Sequence, residues 1–109
     1  VCWDLRSKFV TVVDPECFNA PVGVKFGGGG LYVAGHLGIG NASLVGISTY
    51  PLRSEKERNS YPTTVLAGAP EGPGVCYKAD GAYLILVGCR LTGRTEEKNG
   101  GKIMKVGNE

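Results

Sequence analysis

Four cysteines, a single histidine and a scatter of glutamates are the side chains here with the chemistry to bond, ligate or catalyse. The cysteines stand at Cys2, Cys17, Cys76 and Cys89. Structural zinc sites usually take their ligands in close pairs, about two to four residues apart. The gaps here are fifteen and thirteen residues, which suits disulfides better than a metal. An even number of cysteines in a small chain predicts two bridges and an oxidising, extracellular setting, with three pairings open. Val at the first position reads as the start of a chain whose signal peptide has been removed. Asn41-Ala42-Ser43 is a glycosylation sequon, and Asn41 is the candidate acceptor.

Other chemistry finds less support. His36 is the one side chain that titrates near neutral pH unaided, and no nucleophile is spaced to work with it. Glu55, Glu57, Glu71, Glu96 and Glu97 could supply a glycosidase pair, but they fall in polar stretches where solvated acids are expected. Gly27 to Gly30 is glycine-rich like a phosphate loop, yet no helix follows and no Lys-Ser or Lys-Thr closes it, so a bend between strands is expected. Catalytic, cofactor-binding and metal-binding residues are therefore all assigned as none, and the chain is read as a non-enzyme. The most reactive surface is a recognition surface. Arg53 to Tyr61 mixes both charge signs beside Tyr50, and Tyr and Arg are the commonest anchors of protein interfaces. Tyr50, Arg53, Lys56, Arg58 and Tyr61 are the candidate partner-binding residues, on a solvated loop.

The elements that must position these residues follow from glycine and proline. Eighteen glycines and six prolines in 109 residues break the chain into short segments, the pattern of an all-β fold. Strands are expected from about Cys2 to Val13, at Val22–Phe26, Leu31–Ala34, Ser43–Tyr50, Pro62–Ala67, Val75–Lys78, Tyr83–Val87 and Lys102–Val106. Ala79-Asp80-Gly81-Ala82 lies between two apolar runs and predicts a hairpin. Arg94 to Gly101 reads as polar and without structure, and no internal repeat is evident. The fold class is a single antiparallel β-sandwich or barrel spanning 1–109, of about six strands, stapled by two disulfides. A net charge of +2 is too mild to predict nucleic acid or membrane as a partner, and no apolar run is long enough to span a bilayer. A soluble monomer without cofactors is expected.

A cysteine at the second position, then a strand and Cys17, then Pro21, glycines and a strand ending Tyr32-Val33-Ala34-Gly35, resembles the opening of the small secreted fungal effectors of the MAX group, the ToxB-like toxins among them. The resemblance spans about the first 35 residues. It implies a six-stranded antiparallel sandwich with early cysteines tied to late ones, Cys2 to Cys76 and Cys17 to Cys89. It also implies a non-enzymatic virulence protein, secreted and transferable into a host cell, that binds a plant host protein. Asn59-Ser60-Tyr61-Pro62 is similar to a stretch of guanyl-specific ribonucleases. That likeness implies an inactive relative, because Glu71 and Arg90 follow Tyr61 while the lone histidine precedes it. A secreted protease inhibitor presenting a rigid loop over Gly68–Pro73 is the third reading. Recognition is expected through an exposed edge strand, near Cys2–Val13 or Lys102–Val106, or through the Arg53–Tyr61 loop.

Overall fold

A computed structural model describes residues 1–18, 20–34, 36–38, 45–71, 74–91 and 93–107, with backbone alone at 36–38. Short β-branched and aliphatic runs form strands, and each breaker turns the chain by one corner instead of reversing it. The first coil is β1 (Trp3–Leu5), β2 (Thr11–Val13) and β3 (Glu16–Phe18). The second is β4 (Val22–Phe26), β5 (Leu31–Val33) and β6 (His36–Gly38). The third is β7 (Val45–Thr49), helix α1 (Glu55–Ser60), β8 (Thr63–Leu66) and β9 (Ala69–Glu71). Then come β10 (Val75–Asp80) with β11 (Tyr83–Val87), and last β12 (Arg94–Lys98) with β13 (Lys102–Val106).

Successive coils stack into three sheets, ordered β1-β4-β7-β10-β12, β13-β11-β8-β5-β2 and β3-β6-β9. Every pairing is parallel. The molecule is a three-faced β-solenoid. The all-β expectation holds, but the antiparallel sandwich of about six strands is overturned, and thirteen short strands stand among the described residues. The Asp80-Gly81 hairpin does not form, because β10 pairs with β7 and β12 while β11 pairs with β8 and β13 in another sheet. The turn carries the chain from one face to the next, and the Gly81 N–H bonds Lys98 O of the following coil.

One corner shows the repeat most plainly. Asp14, Ala34, Ala67, Gly88 and Gly107 each follow a strand of the β2 sheet, and all five are left-handed, with φ between 51° and 61°. Their N–H groups continue the ladder across the corner, Asp14 to Val33 O, Ala34 to Leu66 O, Ala67 to Val87 O and Gly88 to Val106 O. The glycine run 27–30 makes another corner. A Cβ at Gly27 would lie 2.0 Å from Arg6 O of the coil before it, so only glycine permits that stacking.

The core is a set of columns running along the axis. Trp3, Val24, Ile47, Tyr77 and Thr95 stack on the β1 face, and Val12, Tyr32, Val65, Leu86 and Lys105 on the β2 face. Val24, Ile47, Tyr77, Tyr32, Val65 and Leu86 are fully buried. Each such apolar side chain contributes about 1.5–3 kcal/mol by leaving water. The Tyr77 hydroxyl lies 3.0 Å from both Gly68 O and Arg90 O, and burial pushes its pKa far up. Burial does the same to Tyr32.

The cysteines divide. Cys2 and Cys17 form a disulfide across the first coil, and Cys76 and Cys89 are buried thiols outside it. The crosswise pairing, and the second bridge, are therefore corrected. The Cys89 thiol donates to Val65 O and accepts from Gly68 N–H, and Cys76 Sγ accepts from Gly93 N–H at 2.7 Å. In the fourth coil, between β11 and β12, the described residues form no strand on the third face. There the thiols stitch the coil to its neighbours in place of a sheet.

Candidate functional site

The first and last described coils are built differently. At the first coil the inward positions are Trp3, Leu5 and Val12, all apolar, with no earlier coil above them among the described residues. They line an open cavity of about 570 Å³ together with Val10, Thr11, Val13, Asp14, Pro15 and Glu16. Trp3 is 42% exposed, and its indole N–H donates to Glu16 O at 3.1 Å, which ties β1 to β3 beside the opening. The Cys2–Cys17 bridge closes the same frame. Holding a loop of that length together is worth about 3 kcal/mol in the chain-entropy model. Among the described residues each of β1, β2 and β3 is paired on one side only, to β4, β5 and β6. Open edges present backbone N–H and C=O groups that another strand can satisfy.

The last coil keeps Ile103 over Leu84 but is otherwise polar at inward positions where the first is apolar. Thr95 lies over Tyr77, Glu97 over Ala79 and Lys105 over Leu86. Glu97 reaches across to β13 and accepts the Ile103 N–H at 2.7 Å. Repeat proteins end in such polar coils to keep their cores from the next molecule.

The sequence-predicted recognition residues gather at a corner, in two groups. Arg53 to Tyr61 is chiefly helix α1, not an irregular loop. Ser54 caps it by accepting the Glu57 N–H, and Ser54-Glu55-Lys56-Glu57 is the capping-box pattern that announces such a start. Arg53 pairs with Glu57 at 3.2 Å, and Lys8 of the first coil reaches the same carboxylate at 3.5 Å. Arg53, then Lys8, hold Glu57 below the usual carboxylate range. Tyr61 meets Phe9 edge-to-face at 5.5 Å, with Lys8 Nζ 4.3 Å from its ring centroid. Tyr50 stands in the other group, between Lys25 at 4.2 Å and Arg6 at 5.5 Å, with its hydroxyl on Asp4. That hydrogen bond lowers the Asp4 pKa and raises the Tyr50 pKa. Arg58 lies against Gly100 of the last coil, and Lys56 is exposed.

Other candidates separate. Tyr61 precedes β8 in the β2 sheet while Glu71 ends β9 in the third sheet, so the ribonuclease-like set is not assembled. Ala69–Glu71, half of the stretch expected as an inhibitory loop, is a paired strand with Pro70 buried. The His36 side chain, Asn41 and residues 72–73 lie outside the described residues. The edge strands fare better. β1, β2 and β13, inside the two segments expected as edges, do lie at sheet edges. Sequence reasoning missed the mouth itself, because Trp3, Leu5 and Val12 become one surface only when the coil closes. No protein-family model matches the chain, and neither the curated proteins nor the solved structures include a match.

Proposed function

We propose that this chain is a non-enzymatic recognition domain that binds a partner protein at the apolar face of its first coil. The observation that carries the reading is the apolar mouth of Trp3, Leu5 and Val12, framed by β1, β2 and β3, each paired on one side only among the described residues. Apolar burial supplies affinity and the edges supply register, the two ingredients of strand-addition binding. The Cys2–Cys17 bridge supports an oxidising, extracellular setting, and it stands in the frame that must hold its shape. The likeness to plant-directed effectors came with an antiparallel fold, and the parallel solenoid lends that role no support.

The test is affinity capture with three proteins: the parent, Leu5→Arg at the mouth and Lys105→Ala at the capped end. Partners held by the parent and by Lys105→Ala but lost by Leu5→Arg support the reading. Partners held equally by Leu5→Arg would remove the mouth from consideration.

A further inference from the structure

We infer that a second copy of this chain covers the outer face of the β2 sheet, so that two solenoids pair flank to flank. The inference goes beyond the first-coil reading, because this face runs along the side of the solenoid and every described coil contributes to it.

Neighbouring residues of a strand point to opposite faces of its sheet. In the β2 sheet Tyr32, Val65 and Leu86 point inward and are fully buried, so the positions on either side of them point outward. One outward row runs Thr11, Leu31, Thr64, Ile85 and Met104. The other runs Val13, Val33, Leu66, Val87 and Val106. Eight of these ten are apolar, two are threonine and none is charged. None is buried, and Val13, Val106 and Met104 are 68%, 54% and 43% exposed.

The β1 sheet of the same coils is the control. Its outward row is Asp4, Lys25, Ser48, Lys78 and Glu96, charged at every position but one. An outward strand position of this solenoid therefore accepts charge readily, and in the β2 sheet all five strands do without it. The sequence carries the same message. Strands covered on both faces read as continuous apolar runs, and strands with one wet face alternate. Tyr83-Leu84-Ile85-Leu86-Val87 is such a continuous run, whereas Val24-Lys25-Phe26 alternates.

Size and chemistry name the occupant. Five strands about 4.8 Å apart, each with two outward residues and a corner residue beyond them, give a footprint of about 24 Å by 16 Å. Side chains standing out of that plane enlarge its accessible surface, and two such faces closed on each other reach the range near about 1,200 Å² where specific interfaces begin. Monomeric proteins rarely leave an apolar patch of this extent in water. The ten outward residues hold no aromatic ring to stack a base and no cation to meet a phosphate, so the surface suits protein and not nucleic acid. A two-fold pairing sets the same uncharged rows on both sides and buries no charge without a partner. Homodimer interfaces are the apolar class of protein interfaces, and this face has their composition.

The experiment is sedimentation velocity on the intact disulfide-bonded protein. A monomer–dimer equilibrium with Kd at or below about 10 µM is expected over a range of about 1 to 100 µM. Leu66 stands in the middle of the five described coils, where a two-fold pairing brings it near its own copy. Leu66→Lys should weaken the dimer by at least about a hundredfold, because like charges would meet in a dry interface. Lys25 and Lys78 already occupy outward strand positions, so the fold accommodates this change. Leu66→Glu should do the same, and mixing the two variants should restore a dimer, which misfolded chains would not do. Lys78→Ala, on the charged face, and Leu5→Arg, in the first coil, should dimerise as the parent does. A parent that stays monomeric over the whole range would overturn the inference. Dimers that persist in Leu66→Lys, or that are lost in Leu5→Arg, would overturn this face as the contact. Open-ended growth in place of a dimer would assign the contact to stacked coils and overturn the inference as well.

Discussion

The first and last coils sit on the same columns, and they end them in opposite ways. The column that begins with Trp3 finishes at Thr95, and the one that begins with Val12 finishes at Lys105. One end thus exposes the core and the other covers it with groups that prefer water. A stacked fold must end its core somewhere, and polar side chains end it at low cost. An apolar end is costly when bare, so the asymmetry marks where a partner would gain most by docking. The first coil also receives the extra reinforcement, with the Cys2–Cys17 bridge and the contacts of Lys8 and Phe9 with Glu57 and Tyr61. The last coil is held by the Ile103 N–H to Glu97, by Asn99 Nδ2 donating to Asp80 at 2.7 Å, by Lys98 beside Glu96 and by Lys102 over the Tyr83 ring, with no covalent staple among the described residues.

The sharpest way to break this comparison is to cut the bridge. Changing Cys2 and Cys17 to Ser should cost about 3 kcal/mol in a denaturant titration. Hydrogen exchange should rise within residues 1–18 and stay unchanged in β10 and β11, whereas uniform loss of protection would show that the bridge holds the whole solenoid.

The complementary change makes the two ends alike. Replacing Glu97 and Lys105 by Leu removes the polar cap, and head-to-tail association that rises with concentration is the expected result in sedimentation. A monomer at all concentrations would mean that the cap is not what prevents stacking. Ala34→Gly probes the shared corner column at neither end. A left-handed alanine costs roughly 1 kcal/mol, part of which glycine returns as unfolded-state entropy, so a gain of a few tenths is expected from thermal melts.

Acid should act least and on both ends together. Asp4 is lowered from 3.8 first by Tyr50 and then by Arg6, and Glu96 from 4.5 by Lys98. Both carboxylates have depressed folded values, so their contribution is present above the ordinary value and lost as pH falls through the lower one. Asp4→Asn and Glu96→Gln should each flatten part of the acid limb of a stability-versus-pH curve.

Much of the local structure was legible in the sequence. Val22–Phe26, Tyr83–Val87 and Lys102–Val106 form strands with the expected bounds, because aliphatic and β-branched runs between glycines have few alternatives. The strand expected over Cys2–Val13 splits into β1 and β2, since Phe9 adopts a left-handed φ of 61° between them. Arg94–Lys98 is polar throughout, with no alternation to announce a strand, yet it forms β12, and a strand paired on one side among the described residues can keep polar residues on both faces. The repeat was hidden by uneven spacing. Val13-Asp14, Val33-Ala34, Leu66-Ala67, Val87-Gly88 and Val106-Gly107 each place a small or turn-forming residue after an apolar strand end. Helix α1 lengthens the third coil and blurs the period. Ser54 and Glu57 carried a helix signal that the lack of an apolar face outweighed. The helix forms because its cap and the Arg53 and Lys8 pairs stabilise it at the surface.

By itself the sequence determined that the chain is all-β, where most strands run, and that residues near both ends lie on sheet edges. Strand propensity and turn chemistry are local, and a few residues suffice to express them. Only the tertiary structure decided that the strands lie parallel, that Cys2 meets Cys17, and that Trp3, Leu5 and Val12 share one opening. A corner and a hairpin draw on the same glycine and turn-forming residues, and the chain must take one or the other. That choice depends on the coil above and the coil below, which no stretch of local sequence contains.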